Sequence, residues 1–335
     1  MKRYSLYGLI IESEVEFMQL NEVSSTQKNS REVQVDAVVR QCECEDEVIK
    51  YLTEHDSLKR KYEIGLDYAC FFNMGGYYVI KNGREIIFQT ANDYTPERVA
   101  VWLLGYCMAI LLLQRRILAI HCSAVTDGEN GAFLISGEMG AGKSSLTRKL
   151  IEKGFKMMAD DVAAVKLEAV QECKQDDNKL ADRGNNITKE AIVYSAFPYQ
   201  KLCRNEVESR NLNLDELLYI DETKDKFLVP AKNVFIDTPQ KLKFMVYLVA
   251  ADSKELSVHK LTGFDQLMAV KNNLFLHRLC GAWENEKDVL ELCIGIAGNC
   301  PVYLIVRPRE GFYQDRIAEK VIDIFNGKLE IRDLT

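Results

Sequence analysis

A short stretch near the middle of the chain, residues 137–144, has the sequence GEMGAGKS and the spacing of a loop that holds nucleotide phosphates. It matches Gly-x4-Gly-Lys-Ser, the P-loop pattern, and stands between an apolar run and an amphipathic stretch. Glycines let such a loop wrap so that main-chain N–H groups converge on anionic oxygens, and the following helix adds the positive end of its dipole. The pattern predicts a nucleotide site formed by Gly137, Glu138, Met139, Gly140, Ala141, Gly142, Lys143, Ser144 and Ser145.

Within this site, the pattern gives separate tasks to two side chains. Lys143 is expected to reach the β- and γ-phosphates of ATP or another nucleoside triphosphate, and the Ser144 hydroxyl is expected to ligate Mg²⁺. The alternative is a glycine-rich turn that binds no ligand. The apolar strand before the loop and the amphipathic helix after it favour the nucleotide site.

Two adjacent carboxylates, Asp160 and Asp161, follow the next apolar run, Met157-Met158-Ala159. Paired acids at a strand end, downstream of a P-loop, are expected where a metal ion must be held and a proton accepted. Neighbouring strand residues point to opposite faces of a sheet. One carboxylate can therefore face the metal while the other faces the substrate or a structural hydrogen bond. The alternative is a solvated acidic turn.

A histidine, His121, lies in the apolar run LAIHCSAV upstream of the loop. Nearby carboxylates can tune the pKa of such a side chain, which would make it useful for orienting a base. A lone histidine on an apolar strand is also typical of a core residue with satisfied hydrogen bonds. The sequence leaves both interpretations open.

These residues together give the chain a specific resemblance. The segments HCSAV and LISGEMGAGKSSLTRKLIEKGFKMMADD resemble the catalytic core of HPr kinase/phosphorylase, with its histidine-containing strand, its loop G-E-x-G-x-G-K-S and its alanine before two aspartates. The resemblance implies the type of P-loop domain that these enzymes share with ATP-dependent phosphoenolpyruvate carboxykinases. The segments YSLYGLIIESE, FPYQKLCRNEVESRNLNLDEL and LTGFDQLMAVKNNLF are closer to HPr-kinase-related proteins that modify peptides, including kinases of lasso precursor peptides.

The resemblance also implies roles for the acidic pair. Asp160 would be the general base toward a substrate hydroxyl and Asp161 the metal partner, assisted by His121, and the two aspartates could exchange these roles. The segment AFPYQKLCRNEVESRN replaces the second family signature, rich in Gly and Arg, and Cys122 replaces the glycine that usually follows the histidine. These departures argue against HPr as the acceptor and against phosphorylase action.

Phosphoryl transfer also needs a cation near the transferred group, because its catalysis is mostly positioning and electrostatics. The candidates are Lys201, Arg204, Lys226 and Arg307, each of which could also be an ordinary surface charge. Lys226 and Arg307 are favoured because both lie at the edge of an apolar strand.

The elements that must position these residues predict an α+β or α/β fold. Residues 1–94 are predicted to form a β-rich N-terminal domain, with strand patterns at 4–11 and 32–39 and a hairpin of 77–80 and 85–88 that turns at Asn82-Gly83. From a helix start at Thr95-Pro96, residues 95–335 are predicted to form the P-loop domain related to HPr kinase. Its strands are expected at 119–125, 132–136, 156–167, 245–250 and 302–306, its helices at 144–152, 262–274, 284–297 and 313–325, and an exposed loop at 170–190.

Composition narrows the partners and the compartment. The net charge of −7 over 335 residues argues against a nucleic-acid partner. The ten cysteines form no C-x-x-C pair, so free thiols in a cytoplasmic protein are expected. The apolar stretch at 99–113 is shorter than the roughly 20 residues that a bilayer requires, which predicts a buried helix and no membrane partner. A homo-oligomer is possible, although no interface is evident.

The sequence therefore favours an ATP- and Mg²⁺-dependent kinase that phosphorylates a Ser or Thr hydroxyl on a small protein or ribosomally made peptide. Two alternatives remain: a kinase of a small molecule such as serine, and a nucleotide-binding regulatory module with little catalysis. A peptide acceptor would need an open groove near the loop, whereas a small molecule would need an enclosed pocket.

Overall fold

The computed structural model describes residues 1–23, 34–138, 140–171, 187–221, 225–277, 279 and 286–328. Within these residues the chain has a mixed α/β fold with two large sheets and one small sheet. Met139 of the predicted nucleotide site, and residues 172–186 of the predicted loop, lie outside the described residues.

The first sheet comes from the N-terminal part of the chain. Its strands are β1 (Lys2–Leu6), β2 (Leu9–Ser13), β3 (Asn21–Glu22), β4 (Ala37–Gln41), β5 (Tyr62–Ile64), β6 (Tyr68–Asn73), β7 (Gly76–Lys81) and β8 (Glu85–Thr90). They lie in the order β3-β1-β2-β4-β8-β7-β6-β5. Strand β4 pairs in parallel with β2 and β8. The helix α1 (Glu45–Glu54) covers one face through Val48 and Leu52, which pack with Cys70 and Val79.

The hairpin prediction is confirmed, and two strand predictions are corrected. Strands β7 and β8 pair in antiparallel fashion around Asn82 and Gly83, both at positive φ (52° and 62°). The single strand expected at residues 4–11 is instead a hairpin of β1 and β2, because Tyr7 and Gly8 both take positive φ and reverse the chain. The strand expected at residues 32–39 begins only at Ala37.

A buried helical segment follows the first sheet, as the sequence predicts. It comprises α2 (Pro96–Trp102), a π-helical turn (Leu103–Cys107) and α3 (Met108–Gln114). Thr95 caps α2 and accepts from the main-chain N–H of Arg98. Every residue of α3 from Met108 to Leu113 is buried, in one apolar core that includes Phe88 of the first sheet and Ile120 of the second. Among the described residues, no helix has the length and apolar character needed to cross a membrane.

The second part of the chain alternates strands and helices. The strands are β9 (Leu118–His121), β10 (Ser123–Thr126), β11 (Ala132–Gly137), β12 (Lys156–Ala159), β13 (Val162–Gln171), β14 (Ile187–Tyr194), β15 (Tyr199–Cys203), β16 (Leu218–Asp221), β17 (Lys226–Pro230), β18 (Gln240–Ala251), β19 (Ser257–Leu261) and β20 (Val302–Pro308). The helices are α4 (Lys143–Glu152), α5 (Arg204–Ser209), α6 (Gly263–Asn272), α7 (Glu286–Asn299) and α8 (Gln314–Phe325). Short 3-10 turns lie at Leu214–Glu216 and Lys232–Val234.

The second sheet supports the glycine-rich loop. Its strands run β12-β10-β11-β18-β14-β13-β9, with β20 beside β18 and β19 beside β20. Strand β18 pairs in parallel with both β11 and β20. Helices α4 and α8 pack on this part of the sheet through a core that contains Phe133, Leu146, Ile305 and Val321. The strand that ends in the loop is thus central and covered by its own following helix.

Two predicted strands, at residues 119–125 and 156–167, are each interrupted. The first breaks at Cys122 into β9 and β10, and the second breaks at Asp160-Asp161 into β12 and β13. At each break the chain passes between two parts of the sheet, because β9 pairs with β13 whereas β10 pairs with β11 and β12. The breaks lie side by side: the Cys122 N–H donates to the Asp161 carbonyl at 3.1 Å.

A small sheet of β15, β17 and β16 stands beside these breaks. It has its own apolar cluster with α5, formed by Leu202, Val207, Phe227 and Val229. The expected loop at residues 170–190 is partly strand, since β13 and β14 remain paired as far as Gln171 and Ile187. The division of the chain into domains at residue 94 stays a prediction.

Candidate functional site

The glycine-rich loop joins β11 to α4 with a backbone that only glycine adopts easily. Gly137, Gly140 and Gly142 have φ of 138°, 80° and 108°, and Gly142 immediately precedes the first residue of α4. The Lys143 ammonium donates to the carbonyl oxygens of Gly137 at 2.6 Å and Glu138 at 3.2 Å. Burial lowers the pKa of Lys143, although the Asp161 carboxylate opposes this. The Lys143 side chain therefore lies over the loop, close enough to the acidic pair for their charges to interact.

Gly137 leads to a testable prediction about stability. A Cβ at this position would lie 2.2 Å from the carbonyl oxygen of Leu248 on β18, whereas a Cβ at Gly140 would meet nothing within 4 Å. We expect Gly137→Ala to lower the free energy of unfolding by about 2–4 kcal/mol, because two paired strands must separate. Gly140→Ala, also at positive φ but in open space, should cost only about 1–2 kcal/mol. Urea unfolding of the two variants measures the difference, and equal losses would mean that the strands are not in close contact there.

The side chain of Arg307, at the end of β20, binds main-chain carbonyl oxygens of the glycine-rich loop. Its Nε donates to the Ala141 carbonyl at 2.9 Å, one terminal nitrogen donates to the Gly140 carbonyl at 3.1 Å, and the other donates to the Pro308 carbonyl at 2.8 Å. The guanidinium thus fixes two carbonyls of the loop. A direct catalytic contact of Arg307 with a phosphoryl group stays a prediction.

The two aspartates lie at the break between β12 and β13 and share one lysine. Asp160 Oδ2 accepts from the main-chain N–H of Lys201 at 2.8 Å, and Asp161 Oδ2 accepts from the Lys201 ammonium at 2.7 Å. The other oxygen of Asp160, Oδ1, is buried and has no hydrogen-bond partner among the described residues. Lys201 therefore orients both carboxylates through two different atoms.

The two carboxyl groups have opposite pKa shifts. Burial raises the pKa of Asp160 to about 6, and the negative charge of Asp161 adds to this effect. Burial alone would also raise the pKa of Asp161, but the charge and the hydrogen bond of Lys201 outweigh it and lower that pKa to about 2. Near neutral pH, Asp161 is therefore permanently charged, whereas Asp160 can exchange a proton.

His121 ends β9 directly beside Asp161. Its Nδ1 is 3.0 Å from the Asp161 carbonyl oxygen and 3.4 Å from Asp161 Oδ1. Because a carbonyl only accepts, Nδ1 carries the proton and Nε2 is an acceptor in the neutral ring. Burial lowers the pKa of His121, against the opposing charge of Asp161, so the neutral ring is favoured. The structure thus brings His121 to the acidic pair, as the sequence suggested.

The four candidate cations occupy different places. Lys201 contacts both aspartates, although the sequence favoured Lys226 and Arg307 over it. Lys226 begins β17 and is close enough to lower the pKa of both aspartates and of Lys143. It makes no ion pair within the described part of the chain. Arg204 instead pairs with Asp225, at 2.7 Å, and has no contact with the acidic pair.

Two polar residues near Asp160 were not among the sequence candidates. The Arg210 guanidinium donates to Gln200 Oε1 at 3.0 Å, and Gln200 directly precedes the lysine that binds the acidic pair. Gln200 Nε2 and Arg210 Nε are buried and lack partners among the described residues. Residues along β15 are alternately buried and partly exposed. From that alternation, the sequence could have predicted a buried Gln200 next to a partly exposed Lys201. No sequence signal related Arg210 to the site.

A cavity of about 600 Å³ opens beside the acidic pair. Asp160, Asp161 and Lys201 lie in its wall, together with residues from the loops between strands of the first sheet, from the helical segment and from the small sheet. Aromatic side chains contribute much of the apolar surface, among them Trp102, Tyr106, Phe197 and Tyr199. The glycine-rich loop does not line the cavity in the described part of the chain. The carboxylates therefore line the cavity and also interact electrostatically with Lys143 of the loop.

The fold and site define a mixed α/β protein in which a phosphate-loop sequence adjoins paired carboxylates and a cavity. No family model matches the chain, and no curated protein matches it. Among solved structures, it is similar to the HPr(Ser) kinase/phosphatase from Coxiella burnetii, with a TM-score of 0.29 and 12% identity over 63% of this chain and 97% of that one. At this TM-score the match assigns neither an activity nor a substrate to this chain.

Proposed function

We propose that this protein is an ATP- and Mg²⁺-dependent phosphotransferase that phosphorylates a Ser or Thr hydroxyl of a peptide or small protein. The observation that carries the proposal is the position of Asp160 and Asp161, which line the cavity and interact with the charge of Lys143 on the loop. A donor nucleotide on the loop and an acceptor in the cavity would meet at these carboxylates.

The loop supplies the groups that a donor phosphate needs. Its glycines free main-chain N–H groups at the start of α4, and Lys143 adds a positive charge. Lys143 donates hydrogen bonds to two carbonyl oxygens of the loop. If its ammonium donated to phosphate oxygens instead, it would position the γ-phosphate. Arg307 keeps the loop in place from the opposite side.

The acidic pair divides the remaining work. Asp160, with a pKa of about 6 and one unpartnered oxygen, accepts the proton of the acceptor hydroxyl as the phosphoryl group leaves the nucleotide. His121 and Lys201 keep Asp161 oriented and charged. Lys226 lies near enough to offset negative charge on the transferred group.

The residues present also fit a magnesium ion. Among the described residues there is no cluster of three or more His, Cys, Asp or Glu side chains that could bind a metal by themselves. Magnesium in nucleotide enzymes is usually held by one or two protein ligands and by the phosphates, so such a cluster is not required. Asp161 and the Ser144 hydroxyl, which has no hydrogen bond within the described residues, would hold it, and it would neutralise charge on the phosphates.

A kinase of a small molecule is the second candidate. The cavity volume of about 600 Å³ falls within the range of small-molecule sites. Because the cavity walls come from three parts of the chain, the same space could also receive a side chain of a longer acceptor.

Intact-mass spectrometry tests the proposal. The protein is incubated with MgATP and either synthetic serine-containing peptides or free serine and threonine, with Lys143→Ala as the inactive reference. A gain of one phosphate on a peptide, absent with the variant, supports the proposal. Transfer only to a free amino acid supports the second candidate. Bound nucleotide without any transfer would argue for a regulatory module.

The pKa of Asp160 leads to a predicted pH dependence. Since the carboxylate must be ionised to accept a proton, the transfer rate should rise about tenfold per pH unit below its pKa of about 6 and level off above pH 7. Asp161, with a pKa of about 2, stays ionised over this range and adds no second inflection. Single-turnover rates from pH 5 to 8 with saturating MgATP measure this. A flat profile would exclude Asp160 as the base.

A further inference from the structure

Exposed apolar side chains are concentrated around the cavity. The described residues include ten large apolar side chains that are highly exposed, and five of them line this one cavity. We name these five the apolar rim: Met18, Met74, Tyr106, Leu218 and Tyr219. Single exposed apolar residues are ordinary on a protein surface, but several around one opening mark a place where an apolar partner binds.

The apolar rim is built from three separate parts of the chain. Met18 and Met74 come from the N-terminal region, Tyr106 from the π-helical turn, and Leu218 and Tyr219 from the small sheet. Met18 and Met74 are 65% and 69% exposed, and methionine adapts its shape to different apolar partners. No local feature of one element accounts for this arrangement, because three elements contribute to the same opening.

Several polar groups of the cavity wall already have partners. Asp160, Asp161 and Lys201 form one charged part of the wall, held together by hydrogen bonds. Elsewhere in the wall, Glu16 binds Lys2 at 2.6 Å, and the Arg98 guanidinium lies over the Tyr94 ring. When an acceptor hydroxyl reaches Asp160, the groups of the acceptor next to that hydroxyl therefore contact the aromatic walls of the cavity. Groups further from the hydroxyl contact the apolar rim.

The spread of the apolar rim over three parts of the chain favours a peptide as the occupant. Met18 and Met74 line the cavity and are 65% and 69% exposed, so they offer apolar surface to any part of an occupant that extends along the opening. A peptide that enters with one residue and continues across the opening would cover them. We propose that the acceptor is a peptide with large apolar residues directly beside the phosphorylated Ser or Thr. This inference rests on the proposed phosphotransferase function and adds the sequence preference of its acceptor.

Paired peptides and rim variants test the inference. Short synthetic peptides with one central serine carry Leu, Phe, Gln, Lys or Asp on both sides of it, and Gln matches Leu in size without being apolar. We expect kcat/KM for the Leu and Phe peptides to exceed that for the Gln peptide by about 10- to 100-fold. Met18→Glu and Met74→Glu should remove most of this preference. Phe264→Glu is the matched control, since Phe264 is 73% exposed but does not line the cavity.

Each outcome decides between the inference and the function on which it rests. A Leu and Phe preference that the rim variants lose and Phe264→Glu retains supports the inference. Equal phosphorylation of the Leu and Gln peptides overturns it and leaves the phosphotransferase function standing. Transfer to free serine or threonine but to no peptide also overturns it. Absence of both MgATP binding, measured by equilibrium dialysis, and transfer to any acceptor removes the proposed function and the inference together. Thermal unfolding of each variant confirms that the exposed substitutions leave the protein folded.

Discussion

Replacing Asp160 with asparagine is expected to lower the phosphoryl-transfer rate by about 10²- to 10⁴-fold, the range for loss of a general base. The asparagine keeps the size of the side chain and can still accept from the Lys201 N–H, which now donates to Asp160 Oδ2 at 2.8 Å. It cannot accept a proton from the acceptor hydroxyl. Nucleotide binding should persist, because Asp160 makes no hydrogen bond or ion pair with the glycine-rich loop in the described residues.

Single-turnover rates and MgATP affinity, measured on the same samples, check this expectation. Asp46→Asn is the matched control, since Asp46 is an exposed residue in the first turn of α1, far along the chain from the site. The folded state should not suffer, because burial already disfavours the charged form of Asp160. Unchanged transfer by Asp160→Asn, with transfer lost in Asp161→Asn, would show that the two aspartates have exchanged roles.

Replacing Lys201 with methionine is expected to affect both stability and activity. Methionine retains an apolar chain of similar length but leaves the Asp161 carboxylate without its closest cation, now 2.7 Å away. The Lys201 and Asp161 side chains are 21% and 26% exposed, so solvent screens the pair only in part. We expect the free energy of unfolding at pH 7 to fall by about 2–3 kcal/mol, below the full loss for an entirely buried pair. Transfer should be lost because Asp161 is no longer held in place.

A double variant separates these two effects. Lys201→Met combined with Asp161→Asn removes the unpaired charge and should recover most of the stability without recovering transfer. Lys226→Met is the matched control: Lys226 has no ion pair within the described residues, so its loss should change the unfolding free energy by less than about 1 kcal/mol. Urea unfolding and transfer assays measure both quantities. A Lys201→Met protein as stable as the wild type would mean that the pair is screened by water.

At the glycine-rich loop and the acidic pair, local sequence patterns predicted single conformations but not the break between neighbouring strands. Eight consecutive residues define the glycine-rich loop, and the positive φ at Gly137, Gly140 and Gly142 is the conformation that glycine spacing suggests. Asp160 and Asp161 were expected at a strand end, and they are. The apolar residues continue on both sides of them, however, so the interruption between β12 and β13 was not visible in the hydrophobic pattern.

Local patterns did not predict which cation binds the two aspartates. Lys226 and Arg307 lie at strand edges, as the sequence suggested, yet Lys201 binds the aspartates. Its position depends on the pairing of β15 with β17 and on the placement of the small sheet beside a break forty residues earlier in the chain. A strand-edge rule cannot distinguish among four lysine and arginine candidates whose neighbours come from distant segments.

The sequence by itself determined the elements whose physical causes are local: the conformation of the glycine-rich loop, the hairpin at Asn82-Gly83, the Thr95 cap and the strand-end position of the carboxylates. Tertiary structure alone decided that His121 lies beside Asp161, that Arg307 holds the loop, and that residues from Tyr7 to Leu228 enclose one cavity. The physical reason is the range of the interactions. Turn and cap preferences act within a few residues, whereas the contacts of the site join segments that only the pairing of strands brings together.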